Sequence, residues 1–136
     1  MKREKGFSLI EVLVTLLITS VGLLGLAVLQ AKSLQFNHGA YLRSQANILA
    51  YDIADRMRLN KDDARAGQYN ITMGASKPSA SGLVTTDQNQ WLTLIETSLP
   101  AGDGSVSCVS NVCTLTIQWR EAGRDADDSF TYKTQI

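Results

Sequence analysis

The feature that most restricts this chain is an apolar run from Phe7 to Leu29. It is 23 residues long, and 16 of them are Phe, Leu, Ile, Val or Ala. As a helix rising ~1.5 Å per residue it would reach about 35 Å, enough to cross a bilayer core. Gly22 and Gly25 lie inside it and weaken the helix by about 1 kcal/mol each relative to Ala. A plain signal anchor is one reading. A cleaved secretory signal is another, although its apolar region is normally shorter. Leu29-Gln30-Ala31 is also a poor small-residue cleavage site.

The flanks set an orientation. Lys2, Arg3 and Lys5 precede the run, opposed only by Glu4. The positive-inside rule keeps that end in the cytoplasm and sends the remainder across. Glu11 fits neither plain reading. A carboxylate in an apolar span costs free energy, about 2.5–3.5 kcal/mol at the bilayer centre. Such a group is a functional candidate and needs a partner. The span itself supplies none, so another molecule is the expected source.

Lys5-Gly6-Phe7-Ser8-Leu9-Ile10-Glu11-Val12 resembles the class III signal of type IV pilins and of type II secretion pseudopilins. The resemblance implies a prepilin peptidase that cuts between Gly6 and Phe7 and methylates the new amine of Phe7. Residues 1–6 would be the leader, and Glu11 the fifth residue of the mature chain. Physics supplies a reason for the pattern. The Phe7 amine is cationic near neutral pH. In a filament it can meet the Glu11 carboxylate of an adjacent subunit in a low-dielectric core. A pair there is strongly favoured over two lone charges, so it sets axial register more than net stability.

No Pro or cluster of turn residues interrupts the chain from Phe7 to Asn60. Leu42, Ala46, Leu49, Ala50, Ile53, Ala54 and Met57 fall at helical spacing and form one apolar stripe. The reading is a single helix from about Phe7 to Asn60, roughly 80 Å long by the same rise. Residues 7–29 sit in lipid or a filament core. Residues 30–60 lay the stripe on a small head. Asp55-Arg56-Met57-Arg58 closes the helix, where the dipole favours the two arginines. Asp52 and Arg56 form an i,i+4 acid-to-base pair. The stretch Leu49 to Asn60, with Gly67-Gln68-Tyr69, is similar to the helix end of minor pilins of the PilV subfamily.

Residues 61–136 read as the head. Lys61 to Gly67 is a charged linker and Tyr69 to Met73 a short strand. Gly74 to Ser81, rich in Gly, Ser, Ala and Pro, is a loop. Gln88 to Leu99 is a short amphipathic helix capped by Thr86 or Asp87, with Trp91, Leu92, Ile95 and Leu99 inward. Ser105–Val109, Val112–Trp119 and Ser129–Ile136 are strands, the last with Phe130, Tyr132, Thr134 and Ile136 on one face. Three antiparallel strands on a long helix make an α+β domain, the pilin fold in outline.

With Ser110-Asn111 as a hairpin loop, Val109 faces Val112 and Cys108 faces Cys113. A cross-strand disulfide is then geometrically open, and the compartment beyond the membrane is oxidising. Closing so small a loop adds about 2 kcal/mol in the chain-entropy model. A redox pair or half a metal site are weaker rivals, because the spacing is not Cys-x-x-Cys and no second Cys/His pair exists. Many pilins close a larger loop near the C-terminus, so this tight one departs from the best-known pattern.

The remaining signals are weak. Thirteen Lys+Arg balance thirteen Asp+Glu, which argues against a generic nucleic-acid binder. One His and two Cys leave little for a catalytic pair, and no enzyme, cofactor or metal is expected. His38 reads as solvent-facing or interfacial. Asp125-Ala126-Asp127-Asp128 reads as a solvated turn before a Ca²⁺ site, lacking the ligand spacing of an EF-hand. Asn70-Ile71-Thr72 matches a glycosylation sequon, a tripeptide common by chance.

The resemblance implies a minor pilin that primes type IV pilus assembly, near the tip, in support of adhesion and twitching motility. Its partners would be prepilin peptidase, other minor pilins, the major pilin, the inner-membrane assembly platform and a large tip adhesin, with membrane lipid before assembly. It would be held in the bacterial inner membrane, head in the periplasm, and then enter the surface pilus. A type II secretion pseudopilin is the alternative within the same resemblance. A membrane-anchored adhesin using the loop from Gly74 to Gln88 is the alternative outside it.

Overall fold

A computed structural model describes residues 6–136; Lys2, Arg3 and Lys5 of the expected leader lie outside the described residues. The elements in chain order are helices α1 (Leu9–Leu59), α2 (Lys61–Arg65) and α3 (Leu83–Ser98), then strands β1 (Asp103–Val109), β2 (Val112–Trp119) and β3 (Asp128–Gln135). The chain divides into two compact units, one ending at His38 and one spanning Gly39–Ile136.

In the first unit α1 begins where the Ser8 carbonyl accepts the N–H groups of Glu11 and Val12, at 3.0 and 3.3 Å. Three of its hydroxyl side chains are satisfied within the helix. Thr15, Thr19 and Ser20 donate their hydroxyls to the carbonyls of Val12, Thr15 and Leu16, which is how such residues are tolerated inside a helix. Every described residue as far as His38 is exposed. This helix is long and apolar enough to cross a membrane.

The second unit is an α+β arrangement around one core. The α1 stripe is buried as its spacing demands: Leu42, Ala46, Leu49, Ala50, Ile53, Ala54 and Met57. The helix ends at Leu59, where Asn60 N–H is shared between the carbonyls of Arg56 and Met57. The expected charged linker is instead α2, a single turn of helix that buries Ala64. It stops at Gly67, whose φ of +75° suits a residue without Cβ at a helix C-terminus. Tyr69–Met73 does not form a strand. Only Ile71 pairs, in an isolated bridge to Val106, while Tyr69 is fully buried.

Helix α3 starts five residues before the expected Gln88, with Gly82 at its N-cap and no side-chain cap. Thr86 and Asp87 therefore lie within the helix. Trp91, Leu92 and Ile95 are buried, and Trp91 Nε1 donates to the Leu49 carbonyl of α1 at 2.9 Å. The sheet is an antiparallel meander in the order β1-β2-β3. Its helix-facing side supplies Val106, Cys108, Cys113, Leu115, Ile117 and Trp119 to the same core. Strand β1 runs so close to α3 that a Cβ on Gly104 would stand 2.6 Å from Trp91 Cη2. The Ser110-Asn111 turn places Cys108 opposite Cys113 and Val109 opposite Val112, and the two cysteines are disulfide-bonded.

Candidate functional site

Gly6, Phe7 and Ser8 precede the first helical residue, so the Gly6–Phe7 peptide lies outside the helix's hydrogen-bond ladder. Phe7 is 85 % exposed. Both facts matter to a protease, which needs an accessible, extended backbone. Glu11 sits in the first turn of α1, where its negative charge suits the unpaired N–H groups. Among the described residues it has no ion-pair partner. It is the one charged side chain between Phe7 and Leu29. The arrangement offers an accessible peptide bond at Gly6–Phe7 and one carboxylate four residues after Phe7. Whatever neutralises Glu11 in an apolar medium has to come from beyond the described part of this chain.

The second group of residues singled out by sequence, Asp55-Arg56-Met57-Arg58, joins elements rather than merely finishing a helix. Arg56 Nε binds Asp52 at 3.1 Å, and its Nη1 donates to Asp87 Oδ1 at 3.1 Å and Gln90 Oε1 at 2.7 Å. Asp87, 8 % exposed, also accepts the Tyr69 hydroxyl at 2.7 Å. One carboxylate thus ties α1, the connector after α2, and α3. Burial, and then the hydrogen bond to Asp87, push the Tyr69 hydroxyl up to about 12. Met57 is buried in the core. Arg58 binds Asp55 at 2.6 Å and Thr134 of β3 at 2.8 Å. Asp55 first, and then Tyr132, hold it charged. Thr134, and then Arg58, hold the Tyr132 hydroxyl below the ordinary phenol range.

The expectation of Asp87 as a helix cap is therefore corrected. Its side chain is committed to Arg56 and Tyr69, too far along the helix to cap it. Sequence reasoning missed this hub because its members are separated by tens of residues. A usable signal was present, since an Asp facing inward beside Trp91 needs a cation or hydroxyl partner.

The other candidates resolve simply. His38 is exposed. Asn70 grips the backbone of Cys108, accepting its N–H at 2.7 Å and donating to its carbonyl at 3.4 Å. The sequon's acceptor amide is thus engaged. In the Asp125–Asp128 turn, Arg120 and Gln118 bind Asp127, and Arg124 binds Asp128. The Arg120 contact holds Asp127 below the usual carboxylate range, and Asp127 and Asp128, though not Asp125, are paired with arginines. No metal-ligating group of three or more side chains occurs among the described residues. The loop before α3 is shorter than expected, ending at Gly82.

Residues 1–27 match the family model described as the prokaryotic N-terminal methylation motif. The match takes in Gly6, Phe7 and Glu11 and ends inside α1. Over those residues the chain is similar to the N-terminal methylation motif of type IV pilin-like prepilins. No curated protein and no solved structure matches the chain.

Proposed function

We propose that this chain is a minor pilin of the PilV kind that primes and joins type IV pilus assembly. The observation that carries the reading is Glu11: one carboxylate on an exposed apolar helix, four residues after an accessible Gly6–Phe7 bond, within a methylation motif. Prepilin peptidase hydrolyses the Gly6–Phe7 amide, and the amine released at Phe7 is then methylated. Before assembly the apolar half of α1 holds the subunit in the inner membrane, with the leader cytoplasmic and the head periplasmic. On assembly, lipid contacts give way to helix contacts. The Phe7 ammonium then meets Glu11 of a neighbouring subunit. In that medium an unpaired charge costs several kcal/mol, so the pair selects the axial position at which both are satisfied.

The same motif serves pseudopilins of type II secretion. The resemblance of the Asp55–Arg58 helix end to PilV-type subunits favours the pilus. In this reading the head chooses its neighbours among other minor pilins and the major pilin, and passes through the inner-membrane assembly platform. The adhesin reading has less support, since residues 83–88 of the loop it relied on belong to α3.

The test is Glu11→Ala, read by surface pili and by co-purification with other minor pilins, alongside the N-terminal mass of the wild-type protein. The expectation is a mature wild-type chain beginning at methylated Phe7, and a variant that stays membrane-held with lost partner capture. Unchanged assembly by the variant refutes the charge pairing. A wild-type chain that still begins at Met1 refutes the whole reading.

A further inference from the structure

The two edges of the sheet are treated differently. On β1, Val106 exchanges both backbone bonds with Ile71, each 2.9 Å. Cys108 gives its N–H and carbonyl to the Asn70 side chain. Gly104 N–H is taken by Asp103 Oδ1 at 2.7 Å. That edge is closed, and the direction of its bonds fixes those of the next strands. Backbone groups alternate sides along an antiparallel ladder. Val106 and Cys108 point away from β2, so their partners Leu115 and Cys113 point toward β3, where they meet Tyr132 and Thr134. It follows that Ser129, Thr131 and Lys133 direct their N–H and carbonyl groups out of the sheet. None of these has a backbone partner among the described residues.

An eight-residue edge without Pro or bulge is what monomeric proteins avoid, because it templates strand addition. We propose that β3 is a pairing edge through which two copies of this chain join their sheets antiparallel. The occupant follows from self-complementarity. With Thr131 on the two-fold axis, Thr131 faces Thr131, Ser129 faces Lys133, and Phe130 faces Tyr132. Those are hydroxyl, polar and aromatic cross-strand pairs of the favourable kind. No like charges oppose each other. Lys133 meets a serine, and the acids at the start of the strand, Asp127 and Asp128, are already held by Arg120 and Arg124. The parity of this register keeps both helix-facing sides on the same side of the joined sheet. Beside that seam stands Tyr51 of α1, 45 % exposed, with its ring 4.9 Å from Tyr132.

The test uses the full chain in phosphatidylcholine vesicles at low and high protein-to-lipid ratio, with amide hydrogen exchange as readout. At the high ratio, exchange at Ser129, Thr131 and Lys133 should slow by at least about tenfold, as for any newly bonded edge. Val106 and Cys108 should be slow at both ratios. Thr131→Pro removes an outward N–H without breaking a β2–β3 bond. It should abolish the slowing while the Trp91 and Trp119 fluorescence of the folded head persists. A photo-cross-linking residue at position 131 should join two copies through β3 peptides. Exchange on β3 that stays fast and independent of ratio overturns the proposal, and needs no variant to do so. Protection that appears only after a different protein is added, with the chain alone remaining open, overturns it equally.

Discussion

Asp87→Ala tests whether the head is held by packing alone or by its polar hub. The substitution strips the acceptor from a fully buried tyrosine and one anion from Arg56. A buried hydroxyl left without a partner costs about 1–3 kcal/mol. Asn60 Nδ2 lies 3.5 Å from the Tyr69 oxygen but can only donate to it, so the tyrosine proton stays unsatisfied. Arg56 suffers less. It is 24 % exposed at its side chain and keeps Asp52 and Gln90, which holds its loss to about 1 kcal/mol. The total comes to about 2–4 kcal/mol for the head. Urea unfolding in detergent micelles, followed by the buried Trp91 and Trp119, measures it. Tyr69→Phe removes the demand together with the donor and should cost only about 1 kcal/mol. The double variant should then fall short of the sum by about 1 kcal/mol. A loss under about 0.5 kcal/mol for Asp87→Ala, or additivity within about 0.3–0.5 kcal/mol, would refute the hub.

Four further outcomes are open to measurement. Gly104→Ala places a methyl 2.6 Å from Trp91 Cη2 and 2.7 Å from Ile95 Cδ1, so the head should lose about 1–3 kcal/mol. Gly25→Ala, which meets nothing within 4 Å, should leave head unfolding unchanged in the same assay. Paired Cys108→Ser and Cys113→Ser should lower the urea midpoint by the equivalent of about 2 kcal/mol, with Asn70 still gripping residue 108 and the register intact by amide exchange. The folded-state pKa of Tyr69 is raised from 10.0 to about 12. Its contribution to stability is therefore complete below pH 10 and is lost as pH rises from there through about 12. Tyr69→Phe should flatten that stretch of the stability profile.

What could be read from residues alone divides by the range of the forces involved. The α1 stripe was legible because Leu42, Ala46, Leu49, Ile53 and Met57 recur with the helical period, and a helix can bury only one such face. The hairpin register was legible because the Ser110-Asn111 turn and the two cysteines permit one pairing, which β1 and β2 adopt. The start of α3 was not, because Leu83 is exposed. The apolar period begins only at Trp91, a full two turns in. A glycine N-cap without side-chain bonds also leaves no Ser, Thr, Asp or Asn signature to find. The terminal motif, by contrast, was recognisable over residues 1–27 because its pattern is local.

The part of the head that stayed hidden is the part held by polar contacts between distant residues, and this is a consequence of what such contacts require. An apolar side chain is satisfied by any neighbour of suitable size, so its burial depends on pattern alone. Asp87 is satisfied only by a donor at a fixed distance and angle. Its burial therefore depends on where Arg56 and Tyr69, 31 and 18 residues away, come to rest. The Asp-Arg-Met-Arg helix end looks like a cap in sequence because Arg56 and Arg58 suit the dipole there. In the fold the dipole, worth about 0.3–1 kcal/mol at the surface, is the smaller effect. The hydrogen bonds of Arg56 to α3 and of Arg58 to β3 reach across the head. Exchanging either arginine for lysine keeps the charge near the helix end but gives up the planar fork that these bonds use. Arg56→Lys should therefore destabilise the head more than a dipole interaction could account for. If it did not, the end of α1 would be a cap after all.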